Sequence, residues 1–321
     1  MSKLYAWSAT RYHKSWDKRE PFRASVPVIS VGNLAVGGTG KSPTVIALVK
    51  LLWESYASLR TPNAIAILSR GYGRTAKGIV EVKTDTDWRE SGDEPLMIKR
   101  AVPDVAVVVE ADRKQGATYA TNKLGARLIL LDDGFQHRPL YRDLDLILLD
   151  AKHPLGNGRM LPAGPLREKP AALRRADALV TIGMEVESVQ KLAANFAKPL
   201  IITYAENHLP RELQSHPTGK CFVVSGIARP ERFYKSLKTN NINTCGVLVF
   251  SDHHPFGPDD REAIYKTAKQ TGAEYVLTTA KDACRMDKWD YDLPLLTLGL
   301  EIRFFDPEAV MGLLAPVVSN I

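Results

Sequence analysis

The chain has 321 residues, 45% of them hydrophobic and 25% charged, with a formal net charge of +7. That length suggests two domains, and the composition is ordinary for a globular protein. The positive balance favours anionic partners (nucleotides, phosphorylated substrates, acidic membrane surfaces or nucleic acid) without choosing among them. Three widely spaced cysteines, Cys221, Cys245 and Cys284, make no disulfide framework or zinc pattern and point to a reducing, cytosolic compartment. No apolar run approaches the ~18 residues of a membrane span, and no signal-peptide h-region is visible, so the catalytic body is expected on the cytosolic side.

Residues 1–24 mix Lys3, Arg11, Lys14, Lys18, Arg19 and Arg23 with Leu4, Tyr5, Trp7, Tyr12, Trp16 and Phe22. Tyr5, Tyr12 and Trp16 fall near one helical face. Basic residues beside interfacial aromatics suit a helix lying on an anionic membrane. They equally suit a basic helix packed on the protein's own surface.

Val28 to Ser42 reads as a short apolar strand, a glycine-rich turn, and Lys-Ser opening a helix. Such a turn points several backbone N–H groups into one concavity at a helix N-terminus, which suits polyphosphate. Residues Ala35, Val36, Gly37, Gly38, Thr39, Gly40, Lys41 and Ser42 would form the cradle. Lys41 can reach the β- and γ-phosphates, and the Ser42 hydroxyl can ligate Mg²⁺. Ala35 stands where the G-x-x-x-x-G-K-[ST] pattern has its first glycine. The helix that follows carries Val45, Ile46, Leu48, Val49 and Leu52 as its apolar positions.

Residues 64–69 form the next strand, ending in the basic loop Arg70-Gly-Tyr-Gly-Arg74, where open α/β sheets place ligands. Arg70 and Tyr72 are therefore candidate substrate contacts. Ser91-Gly-Asp-Glu-Pro95 precedes a helix over Leu96 to Arg100, and on residue types alone Asp93 and Glu94 read as a cap favouring the helix dipole. Val105 to Val109 is a buried parallel strand, and a helix starts at Glu110-Ala-Asp-Arg113. Arg127 to Asp132 is a buried strand ending in Asp132-Asp133, as a strand does when it carries carboxylate to the Mg²⁺ of a P-loop nucleotide. An ordinary turn-forming Asp-Gly pair would look the same. Gln136 and His137 follow at the same sheet edge.

A strand over Leu144 to Leu149 leads to the Gly/Pro-rich stretch 156–167, which ends in Arg167 and has the character of a functional loop. Strands over Leu179 to Ile182 and Leu200 to Tyr204 flank a helix over Val186 to Phe196. The alternation predicts a mostly parallel sheet covered on both faces. Residues 206–219 suit a domain connection. A smaller α/β unit follows, with strands at 222–224, 247–250, 275–278 and 295–298 and helices near 230–238, 258–271 and 307–314. It holds Asp252-His253-His254, which could bind metal or transfer protons, though surface histidines in a turn are common. It also holds Thr278-Thr-Ala-Lys-Asp282, which could contact nucleotide, close a domain interface, or carry only a solvated ion pair.

These motifs, in this order from residue 27 to about 285, closely resemble the tetraacyldisaccharide 4′-kinases, the lipid A 4′-kinases of Gram-negative bacteria. The resemblance rests on VGNLAVGGTGKSP, SRGYGR, GDEP, DDGFQH, LPAGPLRE, DHH and TTAKD. It implies an α/β protein: a P-loop NTPase-type domain with a mostly parallel sheet at 25–208, a smaller α/β domain at 209–321, and a basic aromatic segment at 1–24. It implies transfer of the ATP γ-phosphate to the 4′-hydroxyl of a tetraacylated glucosamine disaccharide 1-phosphate, giving lipid IVA, peripherally on the cytosolic face of the inner membrane. Residues 35–42 would bind ATP, and Ser42, Asp132 and Asp133 would surround Mg²⁺. Asp93 looks like the catalytic base, with His253 as its partner from the second domain and the site between the domains. Arg113, Gln136 and Arg167 look like supporting residues. This replaces the capping reading of Asp93.

Three positions depart from the family pattern. Ala280 stands where the family usually has Glu, Ser42 replaces the commoner Thr but keeps the hydroxyl, and the N-terminal segment lacks a long apolar stretch. Two other readings compete. A GTPase would need an Asn-Lys-x-Asp guanine motif, which is absent, and a soluble-substrate kinase would not need the lipid. A nucleic-acid-binding role rests on basic charge alone, without an aromatic-basic RNA motif or zinc finger, and no nucleic-acid partner is expected.

Overall fold

The structure is a computed structural model that describes residues 2–38, 40–210, 219–319 and 321, with side chains from residue 7 onward. Thr39 of the expected phosphate cradle and the side chains of Lys3, Leu4 and Tyr5 lie outside the described residues, as do positions 211–218 of the expected connection.

The chain divides into two compact units, Met1–Ala205 with Ile302–Ile321, and Glu206–Glu301. The sequence reading had given everything from 209 onward to the smaller domain. In the structure the last 20 residues return to the first unit instead.

The first unit opens with helix α1 (Ser2–Trp16). Strand β1 (Val28–Asn33) is buried at every position and runs into α2 (Lys41–Ser55). Next come β2 (Ile65–Ser69), β3 (Val80–Val82), α3 (Trp88–Ser91), α4 (Asp93–Ala101), β4 (Ala106–Val109) and α5 (Arg113–Asn122). They are followed by β5 (Leu128–Asp132), β6 (Leu144–Asp150), β7 (Ala178–Ile182), α6 (Glu187–Phe196) and β8 (Leu200–His208). Strand β1 is central, pairing in parallel with β5 on one side and β6 on the other. Strands β2 and β4 continue the parallel order beyond β5, and β7 and β8 continue it beyond β6. Strand β3 pairs with β4 in antiparallel fashion.

Strands buried on both faces read as continuous apolar runs, which is why β1, β2, β4 and β5 were legible as they stood. One face packs Val28, Leu68, Val108, Ile129 and Leu131 with Ala117 and Ala120 of α5. Further along the same face, Leu34, Phe135, Ile147 and Leu179 pack with Val189 and Ala193 of α6. Burying such side chains contributes about 1.5–3 kcal/mol each.

The second unit contains β9 (Cys221–Ser225), α7 (Pro230–Thr239), β10 (Thr244–Val249), α8 (Pro258–Gln270), β11 (Tyr275–Thr279), α9 (Ala280–Arg285) and most of β12 (Leu295–Phe304). Its strands are parallel in the order β10-β9-β11-β12. The last helix, α10 (Pro307–Val318), belongs to the first unit. The fold is therefore α/β with mostly parallel pairing, as the sequence indicated.

Helix α1 and the residues just beyond it contact the first unit. His13 of α1 meets Glu168 at 3.5 Å, and Asp17 just beyond it takes Arg138 at 3.1 Å, so one side is seated on the protein. Trp7 and Tyr12 remain exposed, and the Arg11 guanidinium lies 5.3 Å from the Trp7 ring.

Candidate active site

The glycine turn between β1 and α2 needs left-handed backbone at Gly37 (φ 110°) and Gly40 (φ 82°), where glycine has no Cβ to clash. A Cβ at Gly37 or Gly38 would meet nothing within 4 Å, so the turn leaves open space above it, whereas one at Gly40 would run into the Ile182 side chain. Gly40 then caps α2 through its carbonyl, which accepts from the Thr44 N–H at 3.0 Å and the Thr44 hydroxyl at 2.8 Å. The first N–H groups of α2 are left for another partner. Ala35 is not an irregular glycine position. It bridges to Leu166 in antiparallel fashion, while Val36 N–H donates to Pro165 O at 2.8 Å and Arg167 N–H donates to Leu34 O at 2.8 Å. The Gly/Pro-rich loop is thereby strapped to the entrance of the phosphate turn.

Lys41 and Ser42 open α2 opposite the end of β5. The Ser42 hydroxyl donates to Asp132 Oδ2 at 3.2 Å, and Lys41 Nζ lies 3.8 Å from Asp133 Oδ1. Asp132 is buried, and its Oδ1 has no hydrogen-bond partner among the described residues. Burial pushes its carboxyl up to about 7, with Glu94 adding to the rise and Lys41 opposing it. Asp133 has left the strand at φ 59°, and its N–H donates to Val31 O at 2.9 Å. Burial alone would raise its carboxyl, but Lys41 and Arg167 more than reverse that and hold it below the usual range. Arg167 Nη1 donates to both Asp133 oxygens at 2.9 and 2.8 Å and to Gln136 Oε1 at 3.3 Å.

Two functional neighbours escaped the sequence reading. Glu168 is buried, accepts from Gln136 Nε2 at 3.2 Å, and takes Arg175 Nη2 on both oxygens at 3.0 Å. Arg175 stands in a short 3₁₀ turn that carries no motif. Glu168 had one available signal, its place immediately after Arg167 in LPAGPLRE.

Asp93 is the first residue of α4 and 4% exposed, and Gly92 before it is the N-cap, with no side-chain capping bond. Asp93 Oδ1 accepts the adjacent Glu94 N–H at 2.9 Å. The capping reading therefore fails at this position for a geometric reason: a cap lies one residue earlier. The Arg70–Arg74 loop lies against this helix start, since a Cβ at Gly92 would sit 3.4 Å from Tyr72 O. Arg70, Tyr72, Arg74, Lys77 and Glu110 line a cleft of about 440 Å³, with the Tyr72 ring 78% exposed. Arg113 is buried at the start of α5, and its Nε has no hydrogen-bond partner among the described residues. Burial lowers its guanidinium to about 10, Arg70 adding to this and Asp133 and Asp132 opposing it. The first unit thus brings together the phosphate turn, Lys41, Ser42, both aspartates, Asp93, Arg70, Arg113, Gln136 and Arg167. His253 stands in the second unit, on the turn between β10 and α8.

A family profile described as Tetraacyldisaccharide-1-P 4′-kinase (LpxK) matches residues 1–319. The chain belongs to this family. A "Tetraacyldisaccharide 4′-kinase" of Paramagnetospirillum magneticum is 38% identical over 321 residues, covering 99% of this chain and 92% of the relative. One of Syntrophotalea carbinolica is 35% identical over 316 residues, covering 94% and 85%. Among solved structures, the crystal structure of an "apo" form of LpxK from Aquifex aeolicus in complex with ATP is 31% identical, with a TM-score of 0.79, and covers 98% of this chain and 96% of that one. The tetraacyldisaccharide 4′-kinase match runs past both ends of the motif set, through α1 and α10. The chain is a kinase of the P-loop α/β type.

Proposed function

We propose that this chain transfers the γ-phosphoryl group of ATP to the 4′-hydroxyl of a tetraacylated glucosamine disaccharide 1-phosphate, giving lipid IVA. The observation that carries this reading is the grouping of Lys41, Ser42 and Arg113 around Asp132 and Asp133, with Lys41 and Ser42 following an open glycine turn, in a chain that matches the 4′-kinase profile over residues 1–319. The glycine turn and Lys41 hold the phosphates. Arg113, whose buried guanidinium is under-supplied with partners, faces the same charge and steadies it as it develops on the phosphoryl oxygens.

The residues present fit a divalent cation. Asp132 has a buried, unpartnered oxygen and a carboxyl made costly to ionise by burial, which an adjacent cation would relieve. Ser42 and Asp132 would hold Mg²⁺, which neutralises phosphate charge when bound. Asp133 already has Lys41 and Arg167 as counter-charges, and we assign it to positioning Lys41 rather than to the metal.

In the reaction the 4′-oxygen forms its bond to the γ-phosphorus as the bond to the β,γ-bridging oxygen breaks. The hydroxyl proton passes to Asp93, and ADP leaves with the bridging oxygen. His253, from the second unit, supports Asp93. No helix among the described residues is long and apolar enough to cross a membrane. We place the enzyme peripherally on the cytosolic face of the inner membrane, with the exposed Trp7 and Tyr12 of α1 and its basic residues toward lipid headgroups.

The test is ATP consumption in detergent with the disaccharide lipid as acceptor. Turnover with that lipid, and none with soluble sugars or nucleic acid, is expected. Absence of turnover with the lipid refutes the reading. Asp93→Ala leaving kcat within a few-fold of wild type would remove Asp93 from the role of base.

A further inference from the structure

The doublet His253-His254 and the segment Thr278-Thr-Ala-Lys-Asp282 are distant in sequence, and the second unit brings them together. Strand β11 ends at Thr279, whose hydroxyl accepts the Asp282 N–H at 3.1 Å and donates to Asp282 Oδ2 at 2.7 Å, starting α9. One turn on, Arg285 pairs with Asp282, and both side chains are fully buried. Arg285 Nη1 donates to His254 O at 3.0 Å and Nη2 to Gly226 O at 3.0 Å. Gly226 O also accepts the His253 N–H at 3.2 Å. The buried arginine therefore clamps the backbone on both sides of His253, which itself sits at φ 58°.

The two histidines are then treated differently. His254 Nε2 meets Asp260 Oδ2 at 2.9 Å, and its ring packs on Phe250 and Phe256 at centroid distances of 4.5 and 5.1 Å. That is a structural histidine. His253 is half-exposed, and its Nε2 lies 3.3 Å from Lys281 Nζ. A lysine ammonium has three donors and no acceptor, so Nε2 must offer its lone pair. A neutral imidazole then carries its one proton on Nδ1. Within the second unit Asp252 also faces the ring, its Oδ2 3.9 Å from the same nitrogen. It favours protonation, but Lys281 is nearer and opposes it directly. Asp282, the remaining titratable group of α9 beside Lys281, is committed to Arg285 and Thr279.

We infer that Lys281 is a positioning residue, holding His253 as the neutral Nδ1–H tautomer and so leaving Nδ1–H as the donor that His253 brings to the reaction. This rests on the proposed role of His253 only in its last clause; the tautomer stands on the geometry of the second unit alone. It replaces the imidazolium that a histidine beside a carboxylate would suggest with a neutral ring polarised by an ammonium one contact away.

The experiment uses the full-length protein labelled with ¹⁵N-histidine. His253→Gln assigns one of the seven histidines, and long-range proton–nitrogen correlations report which ring nitrogen is protonated. At pH 8 wild-type His253 should be protonated on Nδ1. In Lys281→Met the ring should move to the Nε2–H form, and its protonation midpoint should rise by about one pH unit, because a like charge has gone. The acid limb of the kcat profile should rise with it, and kcat at pH 7 should fall about tenfold with KM for ATP unchanged. Lys281→Arg, which also donates and keeps the charge, should retain the tautomer and most of kcat. A wild-type ring protonated on Nε2, or a tautomer unmoved in Lys281→Met, overturns the inference. If the tautomer shifts as expected while His253→Gln keeps wild-type kcat, Lys281's hold on the ring is supported and the reaction role of His253 is what fails.

Discussion

Replacing Arg285 with Met tests whether the buried pair beneath the Asp-His-His turn supports both the second unit and catalysis. Arg285 and Asp282 are fully buried and paired, and Arg285 also satisfies the carbonyls of His254 and Gly226. Removing the guanidinium leaves Asp282 with Thr279 as its hydrogen-bonding side chain and takes a donor from each of two carbonyls, of which Gly226 O keeps the His253 N–H. Breaking a buried pair from one side costs about 3–5 kcal/mol, which is roughly a 10²- to 10⁴-fold rise in the open population of the second unit. Burial already raises the Asp282 carboxyl, with Arg285 opposing, so removal raises it further. An acid whose folded-state value is raised loses stability as pH climbs through the window above its ordinary range. The penalty should therefore be smaller at pH 5.5, where Asp282 can take up a proton, than at pH 8. Native-state hydrogen exchange of peptides from β9 and β11 reads the second unit separately from the first. Exchange faster by about two to four orders at pH 8, less at pH 5.5, and partly restored in Asp282→Asn/Arg285→Met is expected. In the same variant kcat should fall while KM for ATP holds, because the phosphate turn belongs to the first unit. Exchange within threefold of wild type, or a double variant as damaged as the sum of its singles, would refute the reasoning.

Gly40→Ala places a Cβ in left-handed backbone and against Ile182, a strain of about 1–3 kcal/mol, so KM for ATP should rise roughly 10- to 100-fold by initial-rate kinetics. Asp132→Asn removes the carboxylate assigned to the cation, so the Mg²⁺ concentration for half-maximal rate should rise roughly 10- to 100-fold in a magnesium titration, and an unchanged titration would move the metal elsewhere. Arg167→Lys keeps the charge but loses the single nitrogen that serves Asp133 and Gln136 together, so kcat should drop about tenfold with little change in melting temperature.

Much of this site could be read from sequence because the features that announce it are local. A glycine-rich turn after an apolar strand, and carboxylates at the end of another, are set within a dozen residues each. What was not legible depends on partners far along the chain. Strand β3 is three residues at a sheet edge, and α9 is six residues, too short for periodicity to show. The return of residues 302–321 to the first unit is decided by long-range packing, not by any boundary signal. Glu168 reads as one more charged residue until the fold encloses it with Gln136, Arg175 and His13.

Asp132 and Asp133 show the same limit at the scale of one peptide bond. In sequence they are equivalent neighbours. In the fold Asp132 is the last residue of a buried strand, whereas Asp133, though its N–H still donates to Val31 O, leaves the strand with φ 59°. That one turn sends Asp133 to Lys41 and Arg167 and leaves Asp132 with Ser42 and an unpartnered oxygen. The carboxyls then move in opposite directions, one held down by two cations and the other pushed up by burial. On the proposed function, a site that accepts a metal and a polyphosphate needs one acid already compensated, to keep its lysine in place, and one left wanting a cation. The backbone reversal after β5 produces both from a repeated residue.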